Sequence, residues 1–347
     1  MTVLVSIIIP TWRHSGVLDE CLDHIRKLQF PVDQMEIILV SADPLNFSEE
    51  GLPATTIVPI DQDVNQGQAR NIASQAAKGE YLAFIDDDSF VPPKWLSRAL
   101  GNFDDPAVGA VGGPALPDME TSPHANKLGA LFLASPWITG YARKRYAEGF
   151  PEDRDASEDD LVLCNNLVRK SVFQEVGGFN PVLVPCEEND LYIRIRKCGY
   201  RLVYAPEAHL QHPAKPAPWH LLSKIGYYAV GRGMLMYSYP ETIRFSHLMP
   251  LFAVGAFIAM VVSLFFWPSV ALLFFLVLSA GVLFVLIRVL VDIQKNGILG
   301  ISSFISTLVF LPLLPFYAAT GILKGFGRMV FGVKFGHRMD KKFKGVF

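Results

Sequence analysis

Leu248 to Ile287 is a run of 40 residues without a formal charge, about twice what one membrane-spanning helix requires. It breaks at Trp267-Pro268-Ser269, which predicts two helices of about 20 residues joined by a tight hairpin. The hairpin carries no charge, whereas Arg244 flanks the run on one side and Arg288 and Lys295 on the other. The positive-inside rule then places the hairpin outside and the N-terminal domain in the cytoplasm, as in a multi-pass protein of the cell's inner membrane. Hydrophobic residues make up 51% of the chain and charged ones 18%, and this run accounts for much of the imbalance. A net charge of −2 gives no global field to recruit nucleic acid.

A third apolar segment, Ile301 to Leu323, carries Pro312 and Pro315 at its centre. If it spans, the basic residues after it (Lys324, Arg328, Lys334, Arg338, Lys341, Lys342 and Lys344) lie outside, against the charge rule. The expectation leans to a re-entrant hairpin over a spanning helix, with residues 324–347 a basic amphipathic tail on the anionic inner leaflet. Upstream, Trp219, Leu222, Ile225 and Ala229 recur three or four apart, with Lys224, Arg232, Tyr227 and Tyr228 between them. Within residues 213–247 this predicts an amphipathic helix in the membrane interface, with membrane lipids as partners. An ordinary surface helix is the alternative. The membrane region proper is 248–323.

Residues 1–212 read as a soluble-type domain. Val3 to Ile9 has no basic residue before it and no small-residue cleavage site after it, so it reads as a buried strand rather than a secretory signal. Cys21, Cys164, Cys186 and Cys198 are far apart with no CxxC pair, which argues against a zinc framework and fits a reducing compartment. A helix follows with Val17, Leu18, Cys21, Leu22, Ile25 and Leu28 on one face and Ser15 as N-cap. Strands are expected at Glu36–Val40, Thr56–Val58, Tyr81–Ile85 and Val108–Val111, with helices at Gln66–Ala77, capped by Asn65, and from Pro93. The alternation implies βαβ units and a mostly parallel sheet, whose ligands bind beyond the carboxyl ends of the strands. Further on, a loop at Pro114–Pro123, a short helix at Lys127–Leu133 and an acidic surface stretch at Glu148–Asp160 are expected. Leu163–Val168, a helix at Ser171–Val176, the turn Gly177-Gly178-Phe179, a helix around Asp190–Lys197 and a strand at Arg201–Tyr204 complete the domain.

Asp86-Asp87-Asp88 closes the Tyr81–Ile85 strand. Three adjacent carboxylates repel one another, and a divalent cation on a diphosphate relieves the conflict through oxygen ligands. Asp61/Asp63 and Asp153/Asp155 have the same spacing, but only Asp86/Asp88 ends an apolar strand. Glu187-Glu188 reads on its own as a solvated helix start, where acids favour the helix dipole. Arg70 reads equally as a nucleotide contact or a helix-surface arginine.

The chain resembles family-2 glycosyltransferases of the GT-A fold. The resemblance rests on Val5–Thr11 (VSIIIPT), Asn65–Asn71 (NQGQARN), Gly79–Asp88 (GEYLAFIDDD) with Pro93 and Leu96, Gly177–Phe179 (GGF) and Glu187–Asp190 (EEND), in order over residues 3–212. The tail, with Phe316-Tyr317 and Gly321–Gly325 (GILKG), resembles that of membrane-anchored exopolysaccharide-assembly members. The resemblance implies an α/β GT-A catalytic domain followed by an all-α membrane region. It makes Asp86 and Asp88 ligands of Mg²⁺ or Mn²⁺, with His212 a further candidate. Pro10, Thr11, Asp43, Arg70, Asp86 and Asp87 would lie on the donor, and Asn166, Gly178 and Asp190 on the acceptor side. Glu188, with Glu187 beside it, stands where the family's catalytic base falls. Where the family commonly shows two Asp before Gly-Ser after the second strand, this chain has Ser41-Ala42-Asp43-Pro44.

The expected activity is a metal-dependent inverting glycosyltransferase, taking a sugar from a nucleotide-sugar donor to a lipid-linked (polyprenyl) acceptor at the cytoplasmic leaflet. A polyprenyl-phosphate monosaccharide synthase, and an inactive membrane scaffold that still binds nucleotide, are the alternatives. Processive synthesis is disfavoured by the absence of Q-x-x-R-W after the base. A sugar nucleotidyltransferase is disfavoured because no Gly-rich phosphate loop stands near the N-terminus.

Overall fold

The structure, a computed structural model, describes residues 3–214 and 216–332. Contacts divide them into two compact units, one of the described residues up to Asp118 with Tyr141–Pro213, and the other of Met119–Gly140 with the described residues from Ala214 on. The division departs from a single domain over 1–212, because residues 119–140 join the second unit.

In chain order the elements are β1 (Val5–Pro10), α1 (Gly16–Arg26), β2 (Met35–Ser41), β3 (Ala54–Pro59), α2 (Gln66–Ala76), β4 (Tyr81–Ile85), α3 (Trp95–Leu100), β5 (Val108–Gly112) and β6 (Ala115–Leu116). Then follow α4 (His124–Ala134), α5 (Pro136–Thr139), β7 (Asn165–Arg169), α6 (Lys170–Glu175), α7 (Glu187–Lys197), β8 (Arg201–Tyr204) and β9 (Leu210–Gln211). The chain ends in α8 (Trp219–Ser238), α9 (Phe245–Phe266), α10 (Pro268–Lys295) and α11 (Ile301–Phe331).

The first unit is built on a seven-stranded sheet of order β3-β2-β1-β4-β7-β5-β8. All pairs are parallel except those of β7, which runs antiparallel to both β4 and β5. Successive residues of β1 and β2 feed apolar clusters on opposite faces: Ile7, Ile9, Ile37 and Leu39 on one, Ile8, Ile38 and Val40 on the other. A strand covered on both faces has no polar side to present, which is why these runs are continuously apolar rather than alternating. Ser15 caps α1, accepting from the Leu18 amide at 3.3 Å. Asn65 and Gln68 close a reciprocal capping box on α2.

Two expectations change in this unit. The acidic stretch is exposed only in its first half. Ala156, Glu158, Asp159 and Asp160 are buried, because the Arg145 guanidinium donates to the Glu158 and Asp159 carbonyls at 2.6 and 3.0 Å. Lys144 pairs with Asp160 at 3.1 Å. The expected loop after Pro114 contains β6, which pairs with β9.

In the second unit, α4 packs Leu128 and Phe132 among Leu221, Leu222, Val289, Ile293 and Phe310, with the Phe132 and Phe310 rings 4.4 Å apart. Helices α9, α10 and α11, of 22, 28 and 31 residues, are each long and apolar enough to cross a membrane. Ile301–Leu323 is not folded back on itself. It lies within one unbroken helix that runs through Pro312 and Pro315, each of which removes a single amide donor that a long apolar helix tolerates. Of the basic residues after it, Lys324 and Arg328 fall in α11, and those from Lys334 on lie outside the described residues.

The residues expected to form an interfacial helix make α8, whose Gly226, Ala229, Val230 and Gly233 lie along α11. A Cβ on Gly325 would sit 1.8 Å from the Val230 carbonyl oxygen, and one on Gly233 2.0 Å from that of Ile322. Backbones this close exclude any side chain. Gly325→Leu is therefore expected to lower the midpoint of thermal unfolding in detergent by several degrees, the effect of about 1–3 kcal/mol of overpacking. An unchanged midpoint would show that the helices separate freely.

Candidate active site

Strands β1, β2 and β4 are parallel, so their carboxyl ends share one edge of the sheet, and the expected donor residues emerge there. Pro10 ends β1 and Thr11 follows it, buried, with its hydroxyl donating to Asp87 at 2.7 Å. Asp43 stands two residues beyond β2, exposed, accepting from Gln62 at 2.8 Å. Asp86-Asp87-Asp88 leaves β4 as a turn in which the Ser89 hydroxyl meets the Asp86 amide at 3.2 Å. Burial, then repulsion from Asp88 and Asp86, pushes the Asp87 pKa up to about 6 against the Thr11 hydrogen bond.

Arg70 is neither at the helix surface nor free of partners. It is 1% exposed, donating to Asp86 Oδ1 at 2.6 Å and standing 3.7 Å from Glu187 Oε1. One guanidinium thus bridges the end of β4 to the start of α7. The solvated-helix-start alternative for the two glutamates fails on burial, since Glu187 and Glu188 are 5% and 8% exposed. Burial, then the neighbouring Glu188 charge, raises the Glu187 pKa to about 7, with Arg70 opposing. Glu188 faces a second cation, the half-buried Arg145, at 3.5 Å.

The three residues expected on the acceptor side, Asn166, Gly178 and Asp190, are all buried. Asp190 is fully buried in a two-bond pair with Arg194, at 2.6 and 2.9 Å. Arg194 also donates to the Gly178 carbonyl at 2.7 Å. Asp190 and Gly178 therefore share one brace beneath the Gly177-Gly178-Phe179 turn. Gly178 has φ +70°, and a Cβ there would meet Asn71 Oδ1 at 2.7 Å, so the turn needs glycine. Asn166 on β7 is fully buried opposite Phe84, with neither amide atom hydrogen-bonded.

His212 comes to the site because Gln211 pairs with Phe90 and the His212 amide donates to the Leu116 carbonyl. Its Nε2 stands 3.0 Å from Asp88 Oδ1 and 3.9 Å from Asp86 Oδ2. Its Nδ1 lies 3.1 Å from the Pro213 carbonyl, an acceptor only, so that contact needs the proton on Nδ1. Nε2 is left facing the two carboxylates, as the nitrogen of a cation site shared with them would be. Neighbouring ligands of an octahedral ion at ~2.1 Å stand about 3 Å apart. Five carboxylates (Asp86, Asp87, Asp88, Glu187, Glu188) gather here around the guanidinium groups of Arg70 and Arg145. Asp86 and Asp88 each stand within 4 Å of His212, and this set of oxygen and nitrogen donors has the chemistry that suits a divalent cation.

Sequence reasoning missed Arg145 and Tyr192. Tyr192 is buried with its hydroxyl unbonded, and its pKa is raised first by burial and next by Glu188. Neither residue lies in a distinctive motif. The Arg70 Nε and Nη1, the Asn166 amide and the Tyr192 hydroxyl are buried polar atoms without hydrogen bonds. Such atoms are rare in folded proteins, and each calls for an explanation that a water, an ion or a ligand can supply.

A mostly parallel sheet that gathers carboxylates and a bridging arginine at its carboxyl edge is the GT-A architecture. The sequence model for glycosyl transferase family 2 matches residues 6–177, and the chain belongs to that family. The chain is 26% identical over 246 residues to glycosyltransferase AglE of Haloferax volcanii, covering 67% of this chain and 73% of that one. It is 24% identical over 226 residues to the O-antigen chain rhamnosyltransferase RfbN of Salmonella typhimurium, covering 62% and 68%. The fold resembles that of the mannosyltransferase PcManGT from Pyrobaculum calidifontis, solved with GDP-Man and Mn²⁺. The TM-score is 0.55 at 17% identity, covering 96% of this chain and 89% of that one.

Proposed function

We propose that this chain is a membrane-anchored, metal-dependent inverting glycosyltransferase. It would move a sugar from a nucleoside-diphosphate sugar to a lipid-linked acceptor at the cytoplasmic leaflet, in polysaccharide or glycoconjugate assembly. The observation that carries the reading is the Arg70 bridge, which holds Asp86 and Glu187 to one guanidinium at 2.6 and 3.7 Å. It joins a diphosphate-binding edge to a glutamate pair in one site.

In this reading Thr11, Asp43 and Asp87 line the nucleoside side, and Asp86, Asp88 and His212 hold Mg²⁺ or Mn²⁺. That ion supplies charge stabilisation for the departing diphosphate. Glu188 takes the proton of the acceptor hydroxyl as its oxygen bonds to the anomeric carbon. The bond from that carbon to the diphosphate oxygen breaks on the opposite face, which inverts the centre. Arg145 holds the Glu188 carboxylate in place, and Asn166 and Tyr192 offer hydrogen bonds to the sugar or acceptor. The three apolar helices support an anchor, which suits an acceptor that cannot leave the bilayer. One relative, an O-antigen chain rhamnosyltransferase, is named for polysaccharide assembly, which supports that part of the reading. A polyprenyl-phosphate acceptor is the second reading, favoured by the same anchor.

The test is nucleotide release by the detergent-solubilised protein with Mn²⁺ or Mg²⁺, across UDP-, GDP-, dTDP- and CMP-sugars with membrane lipid extract as acceptor. Release from one donor that requires the lipid extract is expected. Release that is independent of metal would overturn the metal role, and no release despite metal-dependent nucleotide binding on a defined-lipid panel would overturn the reading in favour of an inactive scaffold.

A further inference from the structure

Cys164 lies beside the carboxylate turn at the end of β4. Ile85 pairs with Asn165 across the β4–β7 ladder, so Asp86 and Cys164 leave the two strands side by side. A carboxylate oxygen of Asp86, a ring nitrogen of His212 and Cys164 Sγ all lie within 4.8 Å of one another. Cys164 is 5% exposed, and its carbonyl is held by the Ser89 hydroxyl at 3.4 Å, which ties it to the carboxylate turn.

We infer that Cys164, with Asp86 and His212, makes this edge a binding site for a thiophilic divalent cation of the zinc class, in competition with the hard cation of the transfer reaction. The inference rests on the placing of the metal proposed above. Carboxylate oxygen, imidazole nitrogen and thiolate sulfur together form a zinc donor set, with bonds of ~2.0–2.3 Å. Oxygen ligands suit Mg²⁺ and Mn²⁺, whereas each nitrogen or sulfur added shifts a site towards Zn²⁺, which also stands above Mn²⁺ in intrinsic affinity. Binding would form the metal–sulfur bond and release the thiol proton to water. The zinc-class ion would then occupy the place of the diphosphate's counter-ion and lack its open octahedral positions, so it would act as an inhibitor.

The experiment is Cd²⁺ and Zn²⁺ titration of the full-length detergent-solubilised protein without nucleotide. Thiolate-to-Cd²⁺ charge-transfer absorption reports sulfur ligation, and a chromophoric chelator reports Zn²⁺ affinity. The wild type is expected to show a band saturating at one equivalent. Cys164→Ser should lose the band and lower the Zn²⁺-over-Mn²⁺ selectivity by roughly 10–100-fold. Cys21→Ser and Cys198→Ser should keep both. Cd²⁺ bound by the wild type without thiolate absorption would overturn the inference even if Cys164→Ser failed to fold. Persistence of the band in a folded Cys164→Ser would do the same. These readouts need no sugar transfer, so a silent donor panel with an intact band would sink the transferase reading and leave the zinc-class site standing.

Discussion

Asp88→Ala is expected to lower sugar transfer by about 10²–10³-fold, the effect of removing several kcal/mol of charge stabilisation from the leaving diphosphate. Asp88 stands 3.0 Å from His212 Nε2, whereas Asp86 is also committed to Arg70 at 2.6 Å. Deleting Asp88 therefore removes a ligand without freeing the buried arginine, and the fold should survive. The loss should be in kcat/KM, with Mn²⁺ dependence moved to higher concentration. Steady-state rates over a metal titration, with the thermal midpoint as a check on folding, decide it. Full activity in Asp88→Ala would remove the metal role from this residue.

Glu188→Gln is expected to cost about 10²–10⁴-fold in turnover, the usual range for loss of a general base. The substitution preserves shape and can still hydrogen-bond, but it cannot accept a proton. It also leaves Arg145 without its anion at 3.5 Å, so some destabilisation should accompany it. Donor affinity is the discriminating readout. Nucleotide binding should stay within about twofold of wild type, because the missing group acts on the acceptor hydroxyl. Glu187→Gln is the paired control. If it removed turnover while Glu188→Gln did not, the base would be the neighbouring residue, held by Arg70.

The parallel half of the sheet was legible because strands covered on both faces are written as apolar runs such as Val5–Ile9, and because caps such as Ser15 and Asn65 are local. The carboxylates at the end of β4 were legible from their place after such a run. What the sequence hid is set by tertiary pairing. Nothing in Asn165–Arg169 states that β7 runs against its neighbours. Arg70 and Arg194 look alike in sequence, yet one joins Asp86 and Glu187 while the other braces the turn at Gly178. The acids at 158–160 read as solvated because their partners, Lys144 and Arg145, belong to a separate basic run. Pro312 and Pro315 suggested a fold-back in a helix that continues through both.

The lengths of the apolar helices carry a mechanical consequence. At 1.5 Å per residue, the 22, 28 and 31 residues of α9, α10 and α11 correspond to about 33, 42 and 46 Å, against a hydrocarbon thickness of about 30 Å. Only the first matches a bilayer at normal incidence. The charge-free part of α10, Pro268–Ile287, is worth about 30 Å, so its final turns, from Arg288 to Lys295, are surplus. Were these helices to cross, α10 and α11 would each satisfy the mismatch by tilting or by extending past the acyl chains into the headgroups. The Trp137 ring lies 5.6 Å from the Arg288 guanidinium, an aromatic–cation pair of the kind that fixes depth at such a boundary. A thicker or thinner bilayer would then bear first on the angle of these two rods.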